Sequence, residues 1–282
     1  MDLDAGTVLL QWATGGLFFL WITTRHRLVG IGYGWLLRGT YALMAVGAVW
    51  VGRRTDPFLP RDLAAVGVAV AAVVAFAVSY VRRKAGVARQ RELVQARTAR
   101  VAEMTGIERD EPTEQSDGPE YPPALDLMAP VIGLVGLVFA GAHTGDPDLL
   151  SIARTVTGAL FLGVVTDAML LGHWYLVQPG LPRDPIRELV KWTAAIWPLE
   201  LIFLLWPVGM VSAINGTIDD GWDGLLSWFW VACAITTIAL IGVTWAALKE
   251  KEYSAVMAAT GLLYLAILTA FGMDLVARAI LA

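Results

Sequence analysis

The chain reads as an all-α protein, a polytopic membrane bundle of about eight transmembrane helices with both termini on the outer side. Three observations predict it. Hydrophobic residues make up 57% of the 282 positions and charged residues only 16%, against about 25% charged in soluble domains. Apolar runs of roughly twenty residues, the length that crosses a hydrocarbon core, recur along the chain. The Lys and Arg residues gather in alternate connections, as the charge rule for membrane topology requires.

The spans are expected at 6–24, 33–52, 62–81, 124–143, 148–176, 188–214, 224–248 and 254–281. Met1-Asp2-Leu3-Asp4 lacks the cationic start of a signal peptide, so the first span is expected to be retained. Gly30 and Gly34 form a GxxxG spacing at the edge of the second span, mostly outside the core. Asp146-Pro147 and Asp184-Pro185 place a cap residue before a proline, which a first helical turn tolerates. Pro179, Gly180 and Pro182 end the fifth span. Asp223 is expected to cap the seventh.

Three stretches follow from this map. Residues 1–81 hold the first three spans, and residues 124–282 hold the other five. Between them, 82–123 reads as a charged cytoplasmic helix that leads into an acidic, Pro-containing linker. Val87, Val94 and Val101 recur every seven residues on that helix, a weak contact stripe on a solvated face.

Orientation rests on 15 Lys and Arg residues that fall on one side. They lie in the first connection, in 82–109, and in the fifth and seventh connections. Only Arg53, Arg54, Arg61 and Arg278 fall on the other side, whose remaining loops are acidic. The basic side is therefore read as cytoplasmic, and the protein as multi-pass in a bacterial cytoplasmic membrane.

Charges inside spans are costly and call for a partner or a task. At about 1.5 Å per residue, Arg38 and Asp167 share a depth toward the cytoplasmic side, and Arg154 and Asp274 share one toward the outside. Both sets are candidate structural ion pairs. Asp274 has a second choice in Arg278, one turn on in the favourable acid-first order. Glu200 finds no Lys or Arg at its depth. It lies in a run framed by Trp197-Pro198 and Trp206-Pro207, and a helix broken twice around an acid would line a cavity. Glu200 is thus the leading proton-binding candidate, with Asp167 second.

The histidines offer an alternative. His26 and His173 lie at similar depth near the cytoplasmic ends of spans one and five, where two facing imidazoles would hold a haem b. Against this, His26 is flanked by Arg25 and Arg27, and His173-Trp174-Tyr175 reads as an interfacial belt. Asp167 and His173, six residues apart, do not share a helix face.

No metal site, P-loop, dinucleotide fingerprint or hydrolase motif is present in the sequence. Asp219 to Gly224 resembles a calcium loop but has Gly at the third position and Trp230 at the twelfth. Cys233 stands alone. The reading is a small proton-coupled carrier or channel without a cofactor, in contact with the lipid bilayer and not with nucleic acid. The alternative is an accessory or redox subunit of a respiratory-type complex, with haem b or a quinone. A membrane-protein partner or a second copy of the chain suits either one.

Overall fold

The computed structural model describes residues 4–85, 119–143, 148–178 and 181–281, together with helical backbone at Glu92, Gln95 and Ala99. The valine stripe, most of the expected linker and Asp146-Pro147 lie outside the described residues. Among the described residues there are nine α-helices and no strand. They are α1 (Ala5–Thr24), α2 (Ile31–Thr55), α3 (Leu59–Val81), α4 (Met128–His143), α5 (Asp148–Val177), α6 (Asp184–Leu205), α7 (Gly209–Ile214), α8 (Leu225–Ala247) and α9 (Tyr253–Ile280). A 3₁₀ turn over Pro123–Leu127 leads into α4.

Seven of these are long and apolar enough to cross a membrane: α1, α2, α3, α4 with its leading turn, α5, α8 and α9. The exception, α6, carries Arg187, Glu188, Lys191 and Glu200. Contacts at its two ends nevertheless stretch it across the bundle. At its start Glu188 pairs with Arg25, just beyond α1. At its finish the carbonyls of Phe203 and Trp206 accept hydrogen bonds from Arg154, near the start of α5. The helices therefore alternate in direction, and the basic connections Arg25–Arg27, Arg183–Arg187 and Lys249–Lys251 share one end. There Arg183 donates to the carbonyls of Lys251 and Glu252, each at 2.8 Å.

The flanks of the bundle are apolar, and the charges within the spans are turned inward. Leu43 (74% exposed) and Leu268 (69%) point outward, whereas Asp167, Glu200 and Asp274 are 0% exposed. A soluble protein would pay for such a surface with aggregation. In a bilayer the outer face needs only to match lipid, and the helices hold together through close packing and polar contacts. The helix α5 packs against α1, α4, α6 and α9. Its Gly163 lies so near Gly15 of α1 that an added Cβ would come within 2.2 Å of the Gly15 backbone.

Three boundaries differ from expectation. The sixth span is divided: α6 ends at Leu205 and α7 resumes at Gly209. Pro198 sits inside continuous α6 and does not break it. One lost backbone bond bends a helix whose two halves are both held by neighbours, so the double break expected around Glu200 is a single one. Next, α2 continues through Arg53 and Arg54 to Thr55, where cations favour the carbonyl end of the helix dipole.

Third, the cap of α8 is Asp220 and not Asp223. Asp223 and Gly224 both take positive φ, which turns the chain back over Asp220. The Asp220 carboxylate then accepts from the backbone N–H of Ser227 at 2.8 Å, of Gly224 at 2.9 Å and of Trp222 at 3.0 Å, and from the Ser227 hydroxyl. The Ser227 backbone bond foremost, then those from Gly224 and Trp222, hold this carboxyl well below the usual carboxylate range.

Two outcomes are expected. Gly163→Val forces α1 and α5 apart and costs about 1–3 kcal/mol or more, read as earlier unfolding in mixed micelles. For Asp220, a depressed folded-state value means stability that is present above the unfolded value of about 3.9 and lost as pH falls further. Asp220→Ala therefore melts earlier than the native protein at neutral pH. The gap between their melting curves closes in strong acid.

Candidate functional site

Polar side chains from α1, α5, α6 and α9 meet inside the bundle, toward the end where α1 begins. On α9 the sequence places an acid and an arginine one turn apart, and they close on each other. Arg278 donates to both Asp274 oxygens, at 2.8 and 3.1 Å, and both side chains are fully buried. Gly158 of α5 makes the room. An added Cβ there would meet Asp274, Arg278 and the Gln11 amide nitrogen, all at about 3 Å. Gln11 of α1 reaches past this glycine and donates to the Thr155 carbonyl at 2.6 Å.

Glu200 projects from α6 into the same region. It faces Thr157 of α5 and the Asp274–Arg278 pair. Neither of its oxygens has a donor at hydrogen-bonding geometry. A buried carboxylate with no donor is among the costliest groups a bilayer protein holds. Arg154 also interacts electrostatically with Glu200, but its Nε–H and one terminal N–H are directed elsewhere. They cap the Phe203 carbonyl at 2.7 Å and the Trp206 carbonyl at 3.1 Å. Pro207 has no N–H to offer Phe203, so the arginine supplies the missing donor. This is why Arg154 does not pair with Asp274.

The second expected pair is also rearranged. Arg38 does not meet Asp167. It binds Asp126, in the turn ahead of α4, with two bonds of 2.7 and 2.8 Å. The Tyr121 hydroxyl donates to the same carboxylate at 2.7 Å, Thr24 adds a bond at 3.2 Å, and the Tyr121 ring lies 4.3 Å from the guanidinium. Burial, then the Asp126 charge, push the Tyr121 phenol far above its ordinary value, so it stays a donor. Gly34 leaves the space in which Arg38 folds back.

Asp167 is satisfied instead by tyrosine. The Tyr41 hydroxyl donates to its Oδ1, and Tyr33 reaches its carbonyl at 3.3 Å. The Tyr41 ring lies directly against Gly16 of α1, in space that a Cβ would fill. Its Oδ2 remains without a donor. At the end where α1 begins, Asp4 caps α1 and also binds Arg61, which pairs in turn with Asp62 at 2.9 Å. Both Arg61 and Asp62 are buried, although the sequence places them at a loop edge.

The two haem-ligand candidates have different neighbours. His26 is exposed and lies 3.7 Å from Glu188. His173 is also exposed, 3.4 Å from the Tyr264 hydroxyl, with the two rings edge to face. Among the described residues no group of three or more His, Cys, Asp or Glu could hold a metal ion. Gln11, Tyr41 and Asp126 were missed by sequence reasoning. Asp126 carried a visible signal, as the only Asp, Glu, Lys or Arg in the fourth expected span.

Fold and cluster together define a multi-pass helical membrane protein with a buried polar cluster. No family model matches the chain, and no solved structure does. A curated relative of Escherichia coli (strain K12), described as the uncharacterized membrane protein YhdT, is 36% identical over 55 residues. That stretch is 20% of this chain and 69% of the relative. The chain belongs to the family of that membrane protein.

Arg38→Met is expected to leave Asp126 charged, buried and without its cation, at a cost of about 3–5 kcal/mol. Arg38→Met combined with Asp126→Leu should recover most of that loss. Unfolding midpoints of the two single variants and the double variant check it.

Proposed function

We propose that the protein is a small proton-coupled carrier or channel of the bacterial cytoplasmic membrane, with its basic end in the cytoplasm. In this reading Glu200, beside Asp274 and Arg278, is the proton-exchanging group. The observation that carries it is the Glu200 carboxyl, fully buried with neither oxygen on a donor, facing a complete acid–base pair. Each of the other buried acids of the spans has at least one partner on its carboxylate. Asp126 has Arg38 and Tyr121, Asp274 has Arg278, and Asp167 has Tyr41. Glu200 is left as the acid whose burial packing alone does not repay.

The surroundings support exchange of a single proton. An ionised Glu200 depends on Arg278, which Asp274 already holds, and on Arg154. Adding one proton to Glu200 removes that dependence and gives its carboxyl a hydrogen to donate toward Thr157 or Asp274. Asp167, with one oxygen free, is the second proton-binding candidate, nearer the basic end.

The accessory reading has its own support, since Arg38–Asp126 and Arg61–Asp4–Asp62 each tie different helices together. In that case Glu200 would only fix packing. A haem b, the other alternative, would give a Soret band that shifts on dithionite reduction.

Two measurements test the carrier reading. Infrared difference spectra across a pH step should contain a carboxyl C=O band that Glu200→Gln removes. In proteoliposomes under an imposed pH gradient, solutes that acidify the lumen with the native protein should leave it unchanged with Glu200→Gln. Equal solute-driven acidification in both proteins, with no carboxyl band at Glu200, would overturn the reading.

A further inference from the structure

A cleft of about 860 Å³ opens at the basic end, between the first three turns of α6 and the close of α8. Its lining grades from charged to apolar. Arg187, Lys191 and Lys249 stand around it with Trp192 and Trp245, and Ala195 lies one helical turn deeper. Trp192 is 39% exposed. Lys191 and Lys249 approach the Trp245 ring at 5.3 and 6.0 Å. Neither lysine has a carboxylate within ion-pair distance among the described residues. The acids of the cleft do not cancel the cations, because Glu188 is already bound by Arg25 at 2.5 Å, which leaves Asp184.

We propose that this cleft binds the phosphate headgroup of an anionic membrane lipid. Lys191 and Lys249 would contact the phosphate, Arg187 would add charge, and the acyl chains would run down past Trp192 and Ala195. Basic pockets between membrane helices on the cytoplasmic side recognise anionic headgroups for this reason. The tryptophans belong at the level where headgroup meets chain, since their rings are apolar with one polar edge. The cations lie at the membrane surface and the apolar lining below them, an arrangement that suits a molecule with a charged head and an oily tail. A free anion would use only the upper half. Arg187 also donates to the Leu248 carbonyl at 2.6 Å. An occupant of the cleft would therefore rest against the joint between α6 and the end of α8. The inference stands whether or not Glu200 exchanges protons.

The test uses the full chain in neutral detergent, with phosphatidylglycerol, phosphatidylcholine or inorganic phosphate added. Binding is followed by native mass spectrometry and by the shift in melting temperature. The native protein should retain phosphatidylglycerol and melt later with it, and should respond to neither of the other two. Lys191→Gln with Lys249→Gln should weaken phosphatidylglycerol binding by about thirty-fold, from two surface cations. Lys249→Glu alone, at an exposed position, should act in the same direction. Arg54→Gln at the opposite end should change nothing. Undiminished phosphatidylglycerol binding in the lysine variants would overturn the proposal. So would equal stabilisation by phosphatidylcholine, or by inorganic phosphate alone, which would identify a free anion as the ligand.

Discussion

The close approach of α1 and α5 at Gly15 and Gly163 sets the distance on which the buried chemistry depends. With backbones this near, side chains one or two turns away reach across in a single step. Gln11 spans to the Thr155 carbonyl at 2.6 Å, and the Trp12 indole N–H reaches Thr166 at 2.8 Å. Gly16 lets the Tyr41 ring lie flat, so its hydroxyl arrives at Asp167. Lipid offers no hydrophobic force between helices, so small residues and polar contacts must supply the cohesion. One pair of glycines thus determines whether the polar groups of α5 find partners or stand unanswered in hydrocarbon.

Depth alone does not choose an arginine's partner. Arg38 and Arg154 each had a candidate acid at its own level on another helix, and neither took it. Arg38 found Asp126 in the turn ahead of α4, Arg278 found the acid one turn back, and Arg154 took two carbonyls at a helix end. A guanidinium has five N–H groups in a fixed fork, so it favours sites that present several acceptors together. A bidentate carboxylate or a frayed helix end does that. A lone acid matched only in depth does not.

The spans were legible because apolar length and loop charge are local properties. All eight expected segments coincide with helices to within a few residues, and the break in the sixth falls at Trp206-Pro207, where the sequence marked a proline. The site was legible in part. Glu200 stands out in the sequence by lacking a cation at its depth, and among the described residues it is the buried acid with neither oxygen at full hydrogen-bonding geometry, near Thr157 and Asp274. The sequence offered Asp274 both Arg154 by depth and Arg278 by spacing, and the fold takes Arg278. What stayed hidden depends on which helices touch. Nothing in the sequence near Gln11 says that it meets Gly158, and nothing near Arg154 says that Phe203 offers a carbonyl. Pro198 misled for a related reason: whether a proline breaks a helix depends on the neighbours that hold the two halves.

Arg154 links these observations. Its N–H groups close the end of α6, where Pro207 leaves the Phe203 carbonyl without a partner, and its charge is felt by Glu200. The same guanidinium lies close to Gly209, where a side chain would strike it and where α7 begins. An ionised Glu200 draws on that cation, whereas a protonated one leaves it wholly to the carbonyls. The charge of the acid is therefore coupled to the joint between α6 and α7, the break inside the sixth expected span. In a proton-coupled carrier the titrating group has to act on something that moves. Glu200 is a buried acid whose nearby cation also holds a helix end, as Arg61 does for Asp4 and Asp62 at the close of α2.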